Sequence, residues 1–154
     1  MNMVATNYKK MIFMLLISFL VMYFVMYLNL ASFEHFYFNI NRAYMAALMV
    51  APMALVMLIF MAGMYKNKKL NSFIALGAVS LFLVVLFLER SQTLVKDQEF
   101  MRSMIPHHSS AILVSENADL TDPEVKELAA QIIRSQKEEI AQMKAILERM
   151  EKEK

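Results

Sequence analysis

The sequence contains no cysteine and no tryptophan, and Glu34 is the only acid before residue 89. Without cysteine there are no disulfides, no thiolate metal sites, no cysteine nucleophile and no lipid-modified cysteine anchor. Imidazole and thioether groups remain as ligands for a soft metal, and they outlast thiols in an oxidising compartment. The shortage of acid is local. Residues 1–88 hold six basic residues against that one acid, whereas 89–154 hold ten basic residues and thirteen acids. The basic residues gather at the ends of apolar runs instead of forming a stripe, which argues against nucleic-acid binding.

What is abundant is apolar. Hydrophobic residues make up 58% of the 154, and the mean hydropathy is +0.42, above the roughly 45–50% of soluble domains. Three uncharged runs, 11–30, 43–65 and 70–88, are each long enough to cross about 30 Å of hydrocarbon as a helix. Pro52 should kink the second. The first run is too long for a signal-peptide core and lacks a small-x-small cleavage site, so an uncleaved helix is expected. Lys9 and Lys10 precede the first run, and Lys66, Lys68 and Lys69 separate the second from the third. The positive-inside rule then puts the N-terminus and this loop in the cytoplasm. Residues beyond 88 fall outside, with the aromatic loop around Phe33, Phe36, Tyr37, Phe38 and Tyr44. All three histidines, His35, His107 and His108, share that outer side.

The expected fold is all-α. Residues 1–88 form a membrane domain with three transmembrane helices, and 89–154 form an extracytoplasmic helical domain. Nothing between Leu88 and Met104 breaks a helix, so the third helix is expected to run straight out of the membrane, with a Pro106 kink near Met104. A turn over 117–122 precedes a last helix starting near Pro123, capped by Asp122 or by a Thr121–Glu124 box. Its apolar seam is Val125, Leu128, Ala129, Ile132, Ile140, Met143, Leu147 and Met150. An antiparallel helix pair has too little core to stand alone. It should pair with a second copy as a four-helix bundle or dock on its own membrane part.

Three places could carry chemistry. In Met101-Arg-Ser-Met104-Ile-Pro-His107-His108, imidazole and thioether together suit copper, and imidazole alone also suits zinc. Met104 lies one turn before both histidines, and Met101 one turn further back. Folding about the turn sets the histidine pair opposite Ile132 and Met104 opposite Gln136, with Glu139 a turn beyond and Met143 too far to share an ion with His107. Adjacent histidines diverge by about 100° on a helix, so interfacial histidines and core methionines are the plain reading of the same residues. Second, Met45, Met49, Met53, Met57, Met61 and Met64 form a stripe along the second span. It reads as a packing face or, more sharply, as a thioether ladder for Cu(I), although transport sites usually carry polar groups. Third, Glu34 and His35 lie in an aromatic loop that reads as an interface anchor, or as a neighbour of the metal site.

The run Asp97-Gln-Glu-Phe100-Met-Arg-Ser-Met104-Ile-Pro-His107-His108, followed by Asp122-Pro123-Glu124 and Gln136-Lys-Glu-Glu139-Ile140-Ala-Gln-Met143, resembles the domain-of-unknown-function 305 family. That family is bacterial and ferritin-like in fold, and some members are linked to periplasmic copper binding and tolerance. The resemblance implies Met104, His107, His108 and Met143 as ligands, with Gln136 and Glu139 in support. Ile146 stands where many members carry tryptophan, which alters packing beside the site.

These residues point to a membrane-anchored protein that sequesters or relays copper, as Cu(I) ahead of zinc, at the outer face of a bacterial cytoplasmic membrane. The expected partners are the bilayer, a second copy of the chain and an unnamed copper-handling protein. The rival is a non-metal interaction module that dimerises through its hairpin. A di-iron oxidase is disfavoured because no Glu stands three residues before a histidine. Ser109 and Ser110 have no argued acid or oxyanion partner, so no enzyme activity is expected.

Overall fold

The computed structural model describes residues 3–153. Among them there are five α-helices and no strand: α1 (Met3–Val25), α2 (Ile40–Phe60), α3 (Lys68–Arg90), α4 (Asp97–Asn117) and α5 (Pro123–Lys152), with a single 3-10 turn at Phe33–His35. The chain is all-α, as its periodicity implies. Helices α1, α2 and α3 are each long and apolar enough to cross a membrane.

The chain divides into two compact units. The first joins α1 to residues 41–93, and the second joins residues 26–40 to 94–154. This partition differs from a boundary at residue 88, because the loop after α1 folds with the C-terminal helices.

In the first unit, Tyr8, Met11 and Tyr65 are buried, with Met57, Met61, Leu70 and Ile74 packed around them. Two C-terminal helix limits lie inward of the apolar runs, α1 stopping at Val25 and α2 at Phe60, whereas α3 extends past its run at both ends. Helix α3 does not continue outward. It ends at Arg90, and Gln92 and Leu94 adopt left-handed backbone with φ of 50° and 69°. No glycine marks this break. Side chains hold it instead: Ser91 Oγ donates to the Phe87 carbonyl at 2.7 Å, Tyr44 donates to the Thr93 carbonyl at 2.8 Å, and Asn41 Nδ2 donates to Gln92 Oε1 at 3.1 Å. Tertiary contacts from the start of α2 override a local sequence that could have stayed helical.

The second unit is built on α4 and α5. Asp122 caps α5, its carboxylate accepting from the Glu124 and Val125 amides at 2.9 and 3.1 Å, with Pro123 at the first helical position. Helix α4 carries Pro106 inside it and remains one helix. Three polar pairs fix an antiparallel register: Arg102 with Glu151, His108 with Glu139, and Glu116 with Lys137. Folding about the turn had set His108 opposite Ile132. The observed register is about two turns further along α5. The connection is extended at Ala118 and Asp122, so it carries the start of α5 past the end of α4. Helix α5 has 30 residues against 21 in α4, and its first turns overhang, leaving Val125 and Leu128 45% and 55% exposed.

The hairpin core is Ile105, Ile112, Ile140 and Leu147, with Met101, Met143 and Tyr37 packed against it. Tyr37 comes from the loop between α1 and α2, so that loop supplies part of the core a bare hairpin lacks. The loop has order of its own. Tyr27 donates to the Tyr37 carbonyl at 2.7 Å, the buried Asn39 donates to both Tyr27 Oη and that carbonyl, and Tyr27 stacks on Phe36 at 4.3 Å.

Candidate metal site

His108 is the best-placed of the predicted ligands. It is buried on the α5-facing side of α4. Its Nδ1 lies 2.9 Å from the Met104 carbonyl and its Nε2 lies 2.6 Å from Glu139 Oε2. A carbonyl only accepts, so Nδ1 carries a proton. Nε2 then faces the Glu139 carboxylate, a contact that a proton on either group would close as a hydrogen bond. This orientation, with Nδ1–H on a backbone carbonyl and Nε2 aimed at an acceptor, is the one metal-ligating imidazoles use.

One turn before Glu139, Gln136 has a buried amide oxygen without a hydrogen-bond partner. An orphaned buried acceptor costs roughly 1–3 kcal/mol, and a cation is one way to satisfy it. Imidazole nitrogen and carboxylate thus meet between α4 and α5, and the Gln136 amide oxygen is buried one turn before Glu139 on α5. Two ligands of a tetrahedral ion with bonds of about 2.0–2.1 Å stand roughly 3.3 Å apart. The carboxylate must therefore retreat from His108 to admit an ion. Glu139 has a side chain 49% exposed, which leaves room for that movement.

The thioethers are arranged differently. Met101 and Met143 pack against the apolar cluster, and Met104 is half-buried. The register places Met143 level with Met104 and one turn from Glu139, which removes the separation expected from folding about the turn. His107 is exposed, and its ring lies 6.1 Å from that of His108 at 70°, as expected for adjacent positions on a helix. Among the described residues no three His, Asp, Glu or Cys side chains cluster.

Ser109 is a residue that sequence reasoning noted only for catalysis. It is fully buried, and its Oγ accepts from the Ala31 amide at 2.9 Å and meets His35 Nδ1 at 2.8 Å. His35 is thereby tied to the position adjacent to His108. Its pKa is lowered, first by burial and then by the Lys144 ammonium, with Glu34 opposing. Glu34 and Lys144 approach to 3.7 Å. The signal for this latch was a serine on the inward face of a helix, but its partner lies 74 residues away and no spacing rule reaches it.

The methionine stripe of α2 is divided. Met57 and Met61 pack around Tyr8 and Tyr65, whereas Met45, Met49 and Met64 are 43%, 38% and 40% exposed.

The profile described as "Domain of unknown function (DUF305)" matches residues 89–154. A relative, an uncharacterized protein of Acanthamoeba polyphaga mimivirus, is 33% identical over 112 residues, covering 71% of this chain and 72% of the relative. The chain belongs to the DUF305 family. The alignment with the relative is longer than the DUF305 segment, so the likeness extends into the apolar helices. No solved structure matches the chain significantly. Within the DUF305 segment the buried His108 meets the half-exposed Glu139, with Met104 supplying the carbonyl that holds Nδ1.

Proposed function

We propose that this DUF305 protein is a membrane-anchored metal-binding protein, with copper its preferred ion, acting at the outer face of a bacterial cytoplasmic membrane to sequester or relay the metal. The observation that carries this reading is His108. A buried imidazole, anchored through Nδ1, directs Nε2 at the Glu139 carboxylate, and one turn earlier on α5 Gln136 has a buried, unpartnered amide oxygen. A metal ion would insert between His108 Nε2 and Glu139, replacing their direct contact. Nitrogen and oxygen donors of this kind suit Cu(II) or Zn(II). Met104 and Met143, level with each other one turn from the pair, are the thioethers that would favour Cu(I). His108 orients the ion, Glu139 neutralises its charge, and Gln136 supplies a neutral oxygen. His107, exposed on the same turn, suits hand-over to a partner.

The topology proposed with this reading follows the lysines. The N-terminus and the loop over 65–67 face the cytoplasm, and residues 26–40 and 94–153 lie outside. The test is a Cu(I) titration of the detergent-purified protein against a calibrated competing chelator. Tight binding is expected in the wild type and should be lost in His108→Ala. Absence of binding by the folded protein overturns the reading.

A second reading is favoured by the same 2.6 Å contact. His108 and Glu139 satisfy each other and staple α4 to α5, so the hairpin serves as an interaction module without metal. It predicts that His108→Ala lowers stability and leaves metal affinity unchanged.

A further inference from the structure

Lys9, Lys10, Lys66, Lys68 and Lys69 are all exposed. None of them forms an ion pair among the described residues. A network of neutral groups holds them at one end of the α1–α2–α3 unit. Tyr8 Oη donates to Asn71 Oδ1 at 2.6 Å and accepts from the Asn67 amide at 3.2 Å. Asn71 Nδ2 donates to the Tyr65 carbonyl at 2.7 Å, and Asn7 Nδ2 to the Met64 carbonyl at 3.4 Å. The first turns of α1 and α3 and the loop between α2 and α3 are thus fastened together, and their lysines with them. Lys68 and Lys69 also occupy the N-terminal turn of α3, where the helix dipole already adds positive potential. Among the described residues these five ammonium groups have no acidic partner.

Directly inward of these lysines lies an apolar cleft of about 470 Å³. Its walls run from Ile12 to Phe19 on α1 and from Ile74 to Leu81 on α3, with Ala51 of α2 behind. That is a height of about 10 Å at 1.5 Å per residue. Ile12 follows Lys9 by less than one turn, so cleft and cations adjoin. Gly77 faces space: a Cβ added there would meet nothing within 4 Å. Basic residues at a membrane surface each attract anionic headgroups by about 1 kcal/mol, and an apolar hollow at this depth has acyl chains as its solvent.

We infer that this unit binds one anionic glycerophospholipid, its phosphate held by the lysine cluster and an acyl chain lodged in the cleft beside Gly77. The inference rests on reading the three helices as membrane spans, and it is independent of the metal site.

Native mass spectrometry of the full chain in detergent, with dioleoyl-phosphatidylglycerol and dioleoyl-phosphatidylcholine as probes, tests both halves. Binding of one phosphatidylglycerol about tenfold or more tighter than phosphatidylcholine is expected from the charge term. Lys66→Gln/Lys68→Gln/Lys69→Gln should remove the preference, and the triple Arg variant should keep it. Gly77→Leu, at a position where an added Cβ meets nothing within 4 Å, should weaken both lipids while leaving the preference. Equal binding of the two lipids by the wild type overturns the proposal, as does a preference that survives the triple Gln change. A wild-type dimer that Gly77→Leu dissociates assigns the cleft to a second copy and also overturns it. Flotation with phosphatidylcholine vesicles separates the two claims, since a protein that inserts there but shows no headgroup preference retains its membrane reading and loses its lipid site.

Discussion

At the scale of single residues, the hairpin depends on two polar side chains buried one after the other on α4. His108 reaches across to α5, and Ser109 reaches to the loop between α1 and α2. Replacing Ser109 with Ala leaves the Ala31 amide and His35 without their partner. It should cost about 1–3 kcal/mol and speed hydrogen exchange at Ala31 relative to the core of α5. His35 gives the attachment a pH dependence. Its pKa is lowered from the usual 6.5, so between that value and its folded pKa the unfolded chain binds a proton that the folded chain does not. Stability therefore rises with pH through this window and is lost as pH falls below 6.5. Exchange at Ala31 should accelerate on acidification, and His35→Ala should flatten that response. The sequence made His108 legible as a candidate ligand and Glu139 as a supporting group, but not their contact, because folding about the turn put them two turns apart. Ser109 was illegible as a structural residue because its role comes from a partner far away in the chain.

At the scale of elements, helix identity followed from apolar periodicity and from the Asp122-Pro123 start of α5. Register did not. The sequence shows where the turn lies but not that its residues run extended, and this moves α5 by two turns and changes which residues meet. The break after Arg90 was equally hidden, because serine, glutamine, threonine and leucine do not stop a helix by themselves and the cause lies in Asn41 and Tyr44. Two substitutions probe the hairpin as built. Leu147→Ala, at a position only 4% exposed in the cluster with Ile105, Ile112 and Ile140, should destabilise the second unit by about 2–5 kcal/mol. Asp122→Ala should cost about 0.5–2 kcal/mol through loss of the cap and leave metal affinity unchanged, since it lies several turns from His108. Urea unfolding followed by circular dichroism measures the first effect, and a chelator competition measures the second.

At the scale of the whole molecule, three apolar helices and a charged hairpin were readable from composition, and DUF305 membership accounts for the hairpin. The aromatic loop around Glu34 and His35 reads from sequence as an interface anchor or as a neighbour of the metal site; in the structure residues 26–40 join the hairpin core through Tyr37, and His35 is tied to Ser109, beside His108. The overhanging start of α5 leaves Val125 and Leu128 exposed, and we propose that a second hairpin covers them. Light scattering in detergent should show a dimer that Val125→Glu/Leu128→Glu converts to monomer without loss of helicity. A metal ion at His108 must open its contact with Glu139 and take the deprotonated forms of both groups. The most direct measurement is a pH-stat titration of the unbuffered, detergent-purified protein with Cu(I) supplied anaerobically as its acetonitrile complex. The account predicts release of about one proton per bound ion from this pair, with the release abolished in His108→Ala. Copper uptake without proton release, or release undiminished by His108→Ala, would contradict it.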